Sequence, residues 1–153
     1  MKIIGYTTGV FDLFHIGHLN ILRNAKLECD YLIVGVTTDE LSESDKGKRP
    51  IIPLVERMEI VESIKFVNCV VPQTNYDKIE AWNNLHFNKM FVGDDWKGST
   101  KWTQLESEFK ALGVHICYFP YTKQTSSTKI RRILELYEEH NTIDTNGGDY
   151  VKN

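Results

Sequence analysis

His15 and His18, set in the run Gly-Val-Phe-Asp-Leu-Phe-His-Ile-Gly-His-Leu at residues 9–19, are the side chains of this chain best placed to do chemistry. Upstream, residues 2–8 are short, β-branched and aromatic, and end at Gly9; downstream, Leu19, Ile21, Leu22 and Ala25 recur at helical spacing. The pair therefore falls where a first strand passes to a first helix. Unpaired backbone N–H groups and the positive end of the helix dipole favour an anion there, and imidazoles add directed donors. Gly17, between the histidines and without a Cβ, lets backbone approach a bulky ligand such as a triphosphate. Zinc is the weaker reading of two histidines, because Cys29, Cys69 and Cys117 stand singly and far apart.

Three further clusters follow predicted strands. Lys46, Gly47, Lys48 and Arg49 form a basic loop, with lysines able to fold over phosphates as point charges. Gly93, Asp94, Asp95 and Trp96 place two adjacent carboxylates at a strand end, an arrangement costly to hold without a partner. Thr122, Lys123, Thr125, Ser126, Ser127, Thr128 and Lys129 supply more hydroxyls than one helix cap needs, and a second cradle of hydroxyls and amides suits a chain of phosphates.

The elements that must carry these groups alternate. Residues 2–8, 31–37, 68–71, 89–92 and 114–119 read as strands, several continuously apolar, as strands covered on both faces should be. Residues 17–28, 55–64, 76–85, 102–112 and 126–139 read as helices. The pattern predicts an α/β fold: one Rossmann-like domain over residues 1–139, a five-stranded parallel sheet with helices on both faces. Residues 140–153 lose periodicity and are expected to form a loosely held tail. The length, 153 residues, suits one domain with its own core. A formal charge of −3 with interspersed signs leaves no footprint for nucleic acid or a membrane surface, while small anionic ligands need only local positive charge. Three cysteines at irregular places, no signal-peptide pattern and no apolar run of membrane length point to the cytoplasm.

Taken together, Phe11–His18, Thr38–Glu40, the basic loop, Glu56 and Arg57, Gly93–Trp96 and Ser126–Ile130 resemble the small cytidylyltransferases of the H-x-G-H nucleotidyltransferase superfamily, and most closely the branch acting on glycerol 3-phosphate. The likeness covers about residues 1–135. It implies transfer of CMP from CTP to glycerol 3-phosphate, giving CDP-glycerol and pyrophosphate; another phosphorylated alcohol, such as phosphoethanolamine or phosphocholine, is the alternative acceptor. It further implies magnesium carried with CTP, no protein metal ligand, and a homodimer. By the same likeness His15, His18 and Lys48 are catalytic. Val10, Phe11, Gly17, Asp95, Trp96, Tyr121, Thr122, Ser126, Ser127 and Thr128 join them in binding nucleotide, while Lys46 and Lys78 bind the acceptor. The chain departs from the family pattern at Tyr121, where an arginine is usual and Lys123 stands two residues on. It departs again at Ile79, which occupies the place of the family's acceptor lysine, with Lys78 beside it. A nucleotide-binding module without catalysis is the rival from another class.

Overall fold

Five parallel strands, β1 (Ile4–Gly9), β2 (Tyr31–Thr37), β3 (Cys69–Gln73), β4 (Lys89–Gly93) and β5 (His115–Phe119), lie in the order β3-β2-β1-β4-β5 in the computed structural model. The structure describes residues 1–120 and 126–146, with the side chains of 142–146 set aside. Order runs outward from β1 in one direction through β2 and β3, then restarts on its other side with β4, so the reversal falls between β1 and β4. In an open parallel sheet that reversal opens a crevice beyond the carboxyl ends of the strands.

Helices α1 (Ile16–Leu27) and α3 (Leu54–Glu62) cover one face, where Leu22, Ala25 and Val61 pack with Leu32, Val34, Val36 and Phe91. Helices α4 (Lys78–Leu85) and α5 (Thr100–Ala111) cover the other, where Trp102 and Phe109 meet Tyr6, Met90 and Ile116, with Ile79 and Trp82 alongside. Both faces of β2 are buried, which is why its sequence is continuously apolar rather than alternating. The fold expected from the alternation of periods is the one observed.

Two helices depart from expectation. Residues 39–46 form a helix, α2 (Asp39–Lys46), in the stretch read as loop. It buries only Ser42, so it carries no apolar stripe for a periodicity argument to find. Its signals are at the ends: the Thr38 hydroxyl accepts from Leu41 N–H, Asp39 and Glu40 fill the first turn, and Gly47 closes it at φ 73°. The last helix, α6 (Ser127–Asn146), runs seven residues past the predicted end at 139. Ser126 caps it, its hydroxyl accepting from Lys129 N–H at 3.1 Å.

Arg57, on α3, is fully buried at the heart of this arrangement. Its Nε donates to the Ile52 carbonyl at 2.7 Å, and Nη1 donates to the carbonyls of Val10 at 2.6 Å and Thr37 at 2.8 Å. Nη2 pairs with the Asp39 carboxylate at 2.6 Å. One planar fork thus joins the segments leaving β1 and β2, the start of α2 and the entry to α3. Removing it strands a part-buried carboxylate and three carbonyls, a loss on the scale of about 3 kcal/mol. Arg57→Met should therefore lower the unfolding free energy by at least about 3 kcal/mol in urea titrations. Arg57→Lys should recover little of it, since an ammonium lacks the fork; a Lys variant as stable as the parent would refute this role.

Candidate active site

The segment from Gly9 to His18 crosses the crevice in a conformation the surrounding contacts impose. Phe11 and Leu13 adopt left-handed backbone at φ 54° and 50°, unusual for large side chains and costing about 1–3 kcal/mol each. Phe11 is buried and its ring turns back over Gly9, where an added Cβ would lie 2.9 Å from it. The bend is fixed at both ends: Arg57 holds the Val10 carbonyl, and the Ser127 hydroxyl donates to the Asp12 carbonyl at 2.6 Å. The buried Asp12 carboxylate accepts from Ile51 and Ile52 N–H at 2.8 and 2.9 Å and from Arg131 Nη2 at 3.2 Å. Asp12 thus ties the loop before α3 and the first turns of α6 to the histidine segment.

The histidines cap α1 reciprocally. His15 Nδ1 accepts from Gly17 N–H at 3.0 Å, and His18 Nδ1 accepts from His15 N–H at 3.2 Å. An imidazole that accepts through Nδ1 carries no proton there, so the hydrogen-bond network assigns both rings the neutral Nε2–H tautomer. The rings pack with centroids 4.0 Å apart. Burial, then the neighbouring His15, pulls the His18 pKa down to about 4, against a smaller upward pull from Asp12; burial also lowers that of His15. Each ring therefore offers a neutral N–H donor. His18 Nε2 lies 3.5 Å from Ser127 Oγ, whose own proton goes to Asp12, which leaves its lone pairs facing the imidazole.

Two cavities meet here, sharing Thr8 and Ile21 in their walls. The larger, about 590 Å³, is walled by Val10, Phe11 and His18 on one side and by Ser127 and Thr128 on the other, with Lys46 at the end of α2 and Lys48 just beyond it also in the wall. The smaller, about 380 Å³, lies over β4 and β5 and is lined by Tyr76, Lys78, Trp96, Lys101 and Trp102. His15 stands beside His18 without lining either cavity, Gly17 is buried under the helix start, and Ser126 serves as cap. Asp94–Trp96 form a single 3-10 turn; Trp96 lines the smaller cavity, but Asp94 and Asp95 are exposed and line neither. Solvent screens that carboxylate pair, so the cost expected for holding them together is not incurred. Tyr121, Thr122 and Lys123 lie outside the described residues.

Arg131, Arg132 and Glu135 also line the larger cavity and were not singled out from sequence. They follow Ser127 and Thr128 by four residues, or by eight, so helical spacing from the hydroxyl cluster was the available signal. Lys48 is held by Glu135 at 3.0 Å, and the lysine pulls the Glu135 carboxyl below its ordinary range. The pair is solvent-exposed and contributes little to stability, so an arriving polyanion competes for Lys48 readily.

A pH titration follows from the histidine geometry. Between pH 6.5 and about 4 the unfolded chain takes up a proton that folded His18 refuses, so stability should fall as pH drops through that window and be unaffected by His18 above it. Ring-nitrogen NMR should show the Nε2–H tautomer of His18 from pH 8 to 5. Titration of His18 near 6.5 would contradict the assignment.

The chain matches the cytidylyltransferase-like family over residues 6–133. It is 37% identical over 132 residues to a glycerol-3-phosphate cytidylyltransferase of Bacillus spizizenii, an alignment covering 86% of this chain and 95% of that protein. It is 44% identical over 95 residues to an ethanolamine-phosphate cytidylyltransferase of Arabidopsis thaliana, covering 59% of this chain but only 22% of that protein. Among solved structures, a lipopolysaccharide core biosynthesis protein from Thermoplasma volcanium superposes with a TM-score of 0.68 at 26% identity, covering 82% of this chain and all of that one. With a matched span that takes in the H-x-G-H loop and the first turn of α6, the chain belongs to the cytidylyltransferase-like family and is a nucleotidyltransferase.

Proposed function

We propose that the protein transfers CMP from CTP to glycerol 3-phosphate, releasing CDP-glycerol and pyrophosphate. The observation that carries this reading is the meeting of two unlike cavities at Thr8 and Ile21, with His18 in the wall of the larger: one ringed by Lys46, Lys48, Arg131 and Arg132, the other lined by aromatics and Lys78. The first suits a triphosphate, and the similarity to a glycerol-3-phosphate enzyme over 86% of this chain supports the acceptor.

In this mechanism a phosphate oxygen of the acceptor attacks the α-phosphorus of CTP in line. The bond to the α,β-bridging oxygen breaks and pyrophosphate departs with its electron pair. An acceptor phosphate dianion has no proton to lose, so no general base is required, in keeping with histidines that are neutral donors. Their Nε2–H groups stabilise charge on the α-phosphate oxygens as the bond breaks. Lys48 leaves Glu135 to hold the triphosphate, Thr128 supplies a hydroxyl donor and the first turn of α6 its amides, and Lys46 with Lys78 positions the acceptor. Val10 and Phe11 bound the nucleotide, and Trp96, expected to join them, walls the neighbouring cavity instead.

Magnesium enters as part of the substrate. Among the described residues no group of three His, Cys, Asp or Glu side chains is disposed to hold a metal, and Asp12 is already occupied by three donors. An ion held mainly by triphosphate oxygens and water fits this donor set; it would supply charge neutralisation of the leaving pyrophosphate.

A different phosphorylated alcohol is the second reading, favoured by the ethanolamine-phosphate relative and by Tyr76, Trp96 and Trp102 around the smaller cavity, which suit a cationic head group. The free state of all three cysteines supports a cytoplasmic setting. Exposed Ile133, Leu136 and Tyr137 on α6 give the proposed homodimer an apolar surface to cover.

Incubation with magnesium, labelled CTP and single acceptors should give CDP-glycerol with glycerol 3-phosphate. Turnover only with another phosphate would replace the acceptor, and CTP binding without pyrophosphate release for any acceptor would leave a binding module. His18→Ala should lower kcat by about a hundredfold or more with a smaller change in CTP affinity, the usual cost of losing one preorganised donor. Lys46→Ala should raise the acceptor KM with kcat nearly preserved.

A further inference from the structure

Lys78 and Lys101 come from different helices, α4 and α5, yet line the same cavity of about 380 Å³. Lys78 is half-buried and lies over the Tyr76 ring, its ammonium 5.7 Å from the ring centroid. Burial first, and the charge of Lys101 second, hold its pKa down at about 8. Lys101 is itself exposed at the cavity rim, in the first turn of α5. The one carboxylate in the wall is Asp45, and its Oδ2 already accepts from the Tyr76 hydroxyl at 3.3 Å. Two cations facing one small, largely apolar space repel each other, and a doubly charged anion between them removes that repulsion. A second ammonium brought into the same space by a ligand would add to it.

We infer that Lys101 acts with Lys78 as a paired acceptor contact that sets specificity by charge, admitting a compact phosphomonoester with an uncharged hydroxyl-bearing end and disfavouring one that carries an ammonium. This rests on the cytidylyltransferase reading above and deepens it by assigning the acceptor class. A zwitterionic acceptor with its phosphate between the lysines gains there, but it brings its own ammonium into a space that already holds two cations. Thr8 and Asp45 line the same space and bring polar side chains to it for hydroxyls. Lys101 thus takes up the discrimination that aromatic rings alone, attractive to an ammonium, would send the other way.

The test uses the full chain saturated with the α,β-methylene analogue of CTP, so that the triphosphate cavity is filled and no turnover occurs. Calorimetry then measures glycerol 3-phosphate and phosphoethanolamine on the parent, Lys101→Met and Lys101→Arg, with steady-state kinetics run in parallel. Lys101→Met should weaken glycerol 3-phosphate binding and raise its KM by about tenfold or more, the scale of one charged contact, leaving the CTP KM within about twofold. The preference for glycerol 3-phosphate over phosphoethanolamine should shrink by a similar factor, and Lys101→Arg should restore most of both. Unchanged binding in Lys101→Met, equal or tighter binding of phosphoethanolamine by the parent, or binding of neither acceptor would overturn the inference. Lys101-dependent binding of glycerol 3-phosphate with no CDP-glycerol formed would uphold the lysine pair while the proposed reaction fails.

Discussion

The architecture of the crevice depends on one buried guanidinium. Sheet order alone places the carboxyl ends of β1 and β2 side by side, but it does not say how the chain leaves them. Arg57 decides that by accepting no freedom: its three nitrogens donate four hydrogen bonds, to three carbonyls and a carboxylate. Such a group is tolerable in a core only when fully paired, so the exits from both strands and the starts of α2 and α3 form together or not at all. The strained backbone at Phe11 and Leu13 is affordable because this cross-link and the Asp12 network hold it from both sides.

Within that frame, the helix cap of α1 does double duty. Spending both Nδ1 lone pairs on backbone N–H groups fixes the orientation, tautomer and charge of two imidazoles through local contacts. The same three-residue spacing that makes His15 and His18 a reciprocal cap also brings the rings together on one side of the helix start. A like-charged pair at that distance would be unstable, and neutrality removes the conflict. Donors of fixed direction and no net charge suit a step in which negative charge is redistributed rather than a proton moved.

Much of this was legible in the residues. The parallel sheet follows from continuous apolar runs alternating with helical periods, and the H-x-G-H segment lies where strand-to-helix reading places it. Helix α2 was hidden because it packs through Ser42 and so has no apolar face, although Thr38 and Gly47 marked its ends. The site residues brought together by distant contacts were harder. Arg131 reaches Asp12 across 119 positions of sequence, and Lys101 lines one cavity with Lys78 only because α4 and α5 share one face of the sheet. Asp95 shows the converse, since adjacency of two carboxylates carries meaning only when solvent is excluded, and sequence does not report exposure.

The larger cavity is sewn from the two extremes of the described chain, with residues 10–18 on one wall and residues 127–135 on the other. Ser127 and Arg131 are the stitches, through the carbonyl and carboxylate of Asp12. The wall contributed by α6 follows all five strands in sequence, so a chain that holds the whole sheet but not yet α6 lacks one side of this cavity. Any ligand that recognises only the closed cavity stabilises the docked helix by mass action, so occupancy of this space and the seating of α6 are thermodynamically one event.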